Sequence, residues 1–241
     1  TTTDLAGQDF REGALLSRQL EKLQNGAERD AESRRARSEE YSGVLEAQSF
    51  AYYQTRKDVL SMGSFQPFLD GLVAEKAVKL AQKYFPGLLV DDYARQFSGL
   101  REELELDYKV AAAGLRGLDL NLLADEIAIL IGASLERSRE RFTGEEFEKL
   151  GKLLYLQTGD ELWRDHMSHV QSLILGTQLL GHNGRGDLAA YTLASFESYE
   201  DFQARTMDSF LPKLAAFPHD LAGESQPPQL ELFEDVIRIL G

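Results

Sequence analysis

The sequence predicts an all-α protein, and three observations carry that reading. Apolar residues recur at three- and four-residue spacings almost throughout the 241 residues. Only six prolines interrupt the chain. Turn-forming clusters at Met62-Gly63-Ser64, Pro86-Gly87, 181–187 and 223–228 cut it into helix-sized segments.

The first element is one long polar helix from about Arg11 to Ser61. Tyr41, Val44, Leu45, Gln48, Ala51, Tyr52, Thr55 and Val59 trace a narrow stripe along it. Opposite charges interleave through 28–35, where helical ion pairs are worth about 0.2–0.5 kcal/mol each. A narrow stripe on so long a helix suits a strut laid across other elements. A second helix is expected from Pro67 to Tyr84, apolar through Phe68, Leu69, Leu72, Val73 and Leu80, and ended by Pro86-Gly87. Two weaker helices follow near 92–114 and 119–141; Ile127-Ala128-Ile129-Leu130-Ile131 reads as core. Thr143-Gly144-Glu145-Glu146 is a capping box, with the Thr hydroxyl satisfying a first-turn amide and Glu146 reaching back to the cap residue. The helix it opens runs through Trp163 and His169 to about Leu180. Three glycines in 181–187 stop it, and a helix over 188–216, disturbed at Pro212, returns antiparallel to make a helical hairpin with an exposed tip. Residues 223–228 form a linker to a short amphipathic helix carrying Leu230, Leu232, Phe233, Val236, Ile237 and Leu240. The chain has no internal repeat.

Composition narrows the function classes. A formal net charge of −14 argues against a nucleic-acid partner, since phosphate neutralisation needs clustered Lys and Arg. There is no cysteine, hence no disulfide framework or thiolate zinc site, which fits a reducing cytoplasm. Thr1-Thr2-Thr3-Asp4 lacks the basic and apolar regions of a signal peptide. No run approaches the ~18 apolar residues of a membrane span.

The search for chemistry returns little. No Gly-x4-Gly-Lys-Ser/Thr loop exists, and Gly151-Lys152 is followed by Leu153 where a magnesium-binding hydroxyl would stand. ATP hydrolysis by this chain alone is therefore not expected, and neither a cofactor nor a metal is assigned to it. Asp165, His166 and His169 lie at helical spacing and raise a metal-dependent hydrolase as one reading. They lack His-Glu-x-x-His spacing and a further partner, so one packed and one solvated histidine is the plainer account. Glu102-Glu103 and Glu145-Glu146 read as surface or capping acids. Trp163, the single tryptophan, reads as core.

Two separated stretches resemble the SecA family, the cytoplasmic ATPases that drive preproteins through the bacterial Sec channel. The first is Glu40-Tyr41-x-x-Val44 with Gln48, Tyr53, Arg56 and Val59-Leu60 in step, similar to the family's Glu-Tyr-Asp-Asp-Val run on its long scaffold helix. The second is Leu156-Gln157-Thr158-x-Asp160-x-Leu162-Trp163-x-Asp165-His166-Met167, continuing through Leu173, Gly176, Leu179, Gly181, Tyr191 and Phe196. It resembles the family's Leu-Asp-x-x-Trp-x-x-His segment and the two-helix finger after it. The resemblance covers roughly residues 12–217. The sequence departs from the pattern at Ser42 and Gly43, which replace paired aspartates, and over 174–180, where both finger arginines are missing. The family's cysteine-rich zinc tail is absent from this sequence.

The resemblance implies an all-α fold with a long scaffold helix over 1–63 and a helical wing subdomain over 64–142. Scaffold and two-helix finger would follow over 143–222, with a linker and amphipathic helix over 223–241. It implies a mechanical role in preprotein translocation. Tyr41, Gln48, Arg56, Trp163 and His166 would be structural couplers, and His182, Asn183 and Arg185 would contact the polypeptide or the channel at the finger tip. Implied partners are the preprotein, the Sec translocon channel, the family's own ATPase domains (which use ATP and Mg) and a second copy in a homodimer. The implied location is the cytoplasm, peripheral to the inner membrane. The rival reading is a stand-alone helical protein-binding module without motor function, working through the 181–187 tip or the C-terminal amphipathic helix.

Overall fold

The computed structural model describes residues 2–86, 93–111, 115, 119–180 and 186–220. Among the described residues there are six helices and no strand: α1 (Thr2–Ser61), α2 (Gln66–Tyr84), α3 (Tyr93–Tyr108), α4 (Leu120–Arg139), α5 (Gly144–Leu180) and α6 (Gly186–Asp220). The all-α fold expected from the sequence is thus observed. The linker and amphipathic helix expected over 223–241 lie outside the described residues.

Helix ends follow local chemistry. Pro67 sits in the first turn of α2, where its missing N–H costs nothing. Ahead of it, Glu148 of α5 accepts hydrogen bonds from the Ser64 hydroxyl (2.7 Å) and the Phe65 amide (3.3 Å), doing from a distance what a local cap would do. Asp119 caps α4 by accepting from the amides of Asn121 and Leu122, both at 2.9 Å. The capping box forms as expected: Thr143 N donates to Glu146 Oε2 at 2.8 Å, and Glu146 N donates to Thr143 Oγ1 at 3.3 Å.

Three boundaries differ from the sequence reading. α1 begins at Thr2, well before Arg11. α3 stops at Tyr108 because Lys109 takes a left-handed backbone conformation (φ 54°), and no glycine or asparagine announces that stop. α6 passes through Pro212 without interruption. The proline removes one intrahelical donor, but Phe210, Leu211 and Leu214 around it are wholly buried and hold the helix in place.

The chain divides into two compact units, and the divisions fall inside α1, α5 and α6. The first comprises Thr1–Ala51 and Val170–Phe196. Among the described residues its core consists of buried Tyr41, Val170 and Tyr191, with Val44, Leu45, Leu173, Ile174 and Leu188 against them.

The second unit comprises Tyr52–His169 and Glu197–Gly241. Its main core joins the end of α1 (Val59) to α2 (Phe65, Leu69, Leu80), α3 (Leu100, Leu104), α4 (Ile127, Ile131), α5 (Leu150, Leu154) and α6 (Phe210, Leu214). Ile129, within the run read as core, is 63% exposed, because the helical period turns it away from Ile127 and Ile131. One charge is enclosed here. Lys76 is 4% exposed, and its Nζ lies 3.3 Å from Glu103 and 3.0 Å from Asp208. Glu103, expected at the surface, instead also accepts hydrogen bonds from Lys83 and Tyr84. Burial raises its pKa, but those donors and the Lys76 charge outweigh the effect and hold its carboxyl below the usual range.

Candidate functional site

The sequence motifs converge on two groups of side chains, one in each unit. In the first unit, Tyr41 of α1 meets Tyr191 of α6 edge to face, with ring centroids 4.8 Å apart at 73°. Aromatic pairs favour this geometry because the positive ring edge meets the negative face. Tyr191 Oη donates to the Tyr41 carbonyl at 3.2 Å, and two turns further along α1, Gln48 Nε2 donates to the Ser195 carbonyl at 2.9 Å. Buried Gln48 thereby satisfies a polar group on α6 that is itself buried.

In the second unit, the next turns of α1 meet α5. Tyr52 stacks on Trp163 with centroids 4.5 Å apart and planes 13° from parallel. Phe202 of α6 closes the cluster edge-on to both rings, at 5.5 and 5.4 Å. Tyr52 Oη donates to Asp160 Oδ1. The Arg56 guanidinium approaches the same carboxylate through Nε at 3.1 Å and Nη2 at 3.3 Å, the two-pronged geometry suited to a carboxylate. Burial and the bond to Asp160 push the Tyr52 phenol far above its ordinary pKa. The bond to Asp160 likewise raises Arg56. His166 lies one turn beyond Trp163, its ring 5.1 Å from the indole and its Nδ1 3.0 Å from Ser198 Oγ. Burial, then the neighbouring His169, pulls its pKa below the ordinary histidine value. At neutral pH Tyr52 is therefore a fixed phenol and His166 a neutral imidazole. These groups fix helix positions and are poorly placed to move protons.

Beside this cluster a cleft of about 460 Å³ opens within the second unit. Tyr52, Phe68, Tyr155, Tyr199 and Phe202 give it ring-lined walls, and Arg56 adds a cation. Burial pushes the Tyr155 phenol up to about 12, so it too stays protonated. A cleft of this character takes apolar side chains and orients them by a few polar groups.

The residues expected as couplers are divided between the units: Tyr41 and Gln48 lie in the first, and Arg56, Trp163 and His166 lie together in the second. His182, Asn183 and Arg185 lie outside the described residues. Asp165 and His169 are exposed, with Asp165 3.9 Å from Arg205. His166 is packed and His169 solvated, and among the described residues no group of three His, Asp or Glu is placed to share a metal ion. Sequence reasoning missed Tyr52 as the hub, the role of Asp160 as its acceptor, and Tyr199 and Phe202 as walls. Tyr52 and Asp160 stand 108 positions apart, so only the pairing of helices could reveal them. No helix among the described residues is long and apolar enough to cross a membrane.

Residues 12–217 match the family described as SecA Wing and Scaffold domain. The chain is similar to the protein translocase subunit SecA of Prosthecochloris aestuarii, at 22% identity over 79% of this chain and 18% of that protein. It is 25% identical to the SecA subunit of a Psychrobacter species over 78% of this chain and 21% of that protein. The SecA subunit of Campylobacter fetus is 25% identical over 84% of this chain and 24% of its own length. The chain thus spans about a fifth of the length of these curated relatives. With the family matched over most of its length, and with the motif residues fastening α1 to α5 and α6, the chain belongs to the SecA wing and scaffold domain family.

Proposed function

We propose that this chain is the wing and scaffold portion of an ATP-driven protein translocase. Its long helix carries movement from nucleotide-hydrolysing domains to a hairpin tip that touches the moving polypeptide or the channel mouth. ATP and Mg act in those domains, and this segment turns over no nucleotide by itself. The observation that carries the reading is the use made of the motif residues. Tyr41 and Gln48 bind α1 to α6 in one unit, and Tyr52 and Arg56 bind it to Asp160 and Trp163 of α5 in the other. A helix fastened at intervals by polar and ring contacts transmits displacement better than one held by apolar sliding surfaces. The partners in this reading are an unfolded preprotein, the Sec channel, the ATPase domains and a second copy of the subunit. The working place is the cytoplasmic face of the inner membrane. Nucleic acid has no part, given the acidic balance.

No cysteine within these 241 residues competes with an introduced one. Asn183→Cys, placed in the complete subunit that carries this segment, is expected to form adducts with a preprotein arrested in the channel, whereas Glu145→Cys is not. Equal labelling at both positions, or none at 183, would remove the tip from the mechanism. ATP turnover by the 241-residue chain alone would overturn the division of labour.

A further inference from the structure

The second unit carries another groove, about 330 Å³, on the side where α2 and α4 run together. Leu69 and Val73 of α2 form one wall, Ile129 and Leu135 of α4 the other, and Phe147 of α5 the end. Asp70 and Glu136 stand on its rim. Ile129 is 63% exposed here, and Leu122, two turns earlier on the same face of α4, is 51% exposed. Gly132 lies in the α4 wall, where an added Cβ would meet nothing within 4 Å.

The path of the chain points to the occupant. Near its end, α6 packs Phe217 against Phe142, with centroids 6.2 Å apart, and Phe142 lies 6.4 Å from Phe147 at the groove end. Phe217 is thus linked through Phe142 to the groove end, α6 ends three residues later at Asp220, and residues 221–241 follow. Residues 221–228 can span up to ~28 Å when extended, enough to turn back along α2 and α4. Beyond them, Leu230, Phe233, Ile237 and Leu240 recur at helical spacing, while Glu231, Glu234, Asp235 and Arg238 fall on the other side of the same period. This is the pattern of an amphipathic helix that lays its apolar face in a groove. Arg238 is the only Lys or Arg in residues 221–241, and its long side chain suits a rim holding Asp70 and Glu136.

We propose that residues 229–240 dock as a helix in the α2–α4 groove of their own chain, covering Ile129 and the Gly132 wall. This docking is independent of the translocase reading: it stands or falls on the wing helices and the tail alone.

Hydrogen exchange of the full 241-residue chain, read by mass spectrometry, tests it. Amides of 229–240 are expected to exchange at least about tenfold more slowly than in a free peptide of residues 221–241. Gly132→Trp puts a ring into the groove from a position where a Cβ meets nothing within 4 Å, so that protection should vanish while the thermal transition of the chain stays put. Ile237→Asp, on the tail itself, should remove the same protection without touching the folded helices. Unprotected 229–240 in the parent chain, or protection that survives both variants, overturns the proposal. Protection that disappears on dilution also overturns it, since the occupant would then be a second copy.

Discussion

His166 and Trp163 sit one turn apart on α5, and their surroundings decide how each reports on the molecule. Trp163 is 6% exposed between Tyr52 and Phe202, so the single indole monitors the α1–α5 junction. His166 faces the same rings, and Ser198 gives it a hydrogen bond but no charge. Its pKa is lowered in the folded chain, chiefly by burial. The unfolded chain therefore binds more protons as pH falls through the ordinary histidine range, and stability must fall with it. Urea midpoints at about pH 7.5 and about pH 5.5 bracket that range. The parent chain is expected to lose stability over this interval, and His166→Gln to lose much less. Glu103, whose folded pKa is lowered, contributes stability that disappears only at lower pH, through the carboxylate range. If both chains respond alike, His166 does not set the slope. Residue types of this site were readable in the sequence: Arg56, Trp163 and His166 stand in the two stretches that resemble the SecA family. That Arg56 and Tyr52 share one carboxylate was not, because a carboxylate at 160 offers no sign of which distant donors will reach it.

Helices reward sequence reading wherever a cap or breaker is local. The Thr143–Glu146 box and the Pro67 start are chemical signals confined to one turn, and both take the expected form. The stop of α3 at Lys109 and the passage of α6 through Pro212 are decided by tertiary packing, which overrides propensity of about 1–3 kcal/mol at single positions. Gly151 shows the same conflict in a testable form. Inside α5, alanine is intrinsically better than glycine by about 1 kcal/mol. Yet a Cβ at 151 would lie 2.7 Å from Cε1 of Phe65, a ring 1% exposed in the main core with little room to retreat. Gly151→Ala is thus expected to destabilise the chain by about 1–3 kcal/mol, the ordinary cost of overpacking. Gly71 in α2 is exposed, and a Cβ there meets nothing within 4 Å, so Gly71→Ala should instead gain up to about 1 kcal/mol. Paired urea titrations of the two variants decide the matter: a gain in stability at both positions would show that helix propensity governs both sites.

Across the molecule, apolar burial among the described residues is uneven, and stability should follow that distribution. The second unit holds the large core joining α2, α3 and α4 to parts of α1, α5 and α6, whereas the first rests on Tyr41, Val170 and Tyr191 with a few partly buried neighbours. Along α1, no described side chain between 20 and 40 is buried. A helix there lacks the tertiary packing that supplies most helical stability in water. The long polar helix was legible in the sequence from its narrow stripe. Its attachment points were not, since Gln48 and Ser195 are separated by 147 positions and neither is apolar. Local opening should accordingly grade along α1: amides over 20–40 exchange fastest, those around 41–51 more slowly, and those of α2 and α4 only on opening of the large core. Tyr191→Ala isolates the smaller core. Tyr191 is 1% exposed, and losing its ring and its bond to the Tyr41 carbonyl should cost about 3–5 kcal/mol locally. Exchange over 41–51 and 188–196 is expected to rise steeply in this variant while α2 and α4 keep their protection. Equal acceleration in α2 and α4 would mean that the two cores open as one, and the small cluster around Tyr191 would then limit the stability of the entire chain.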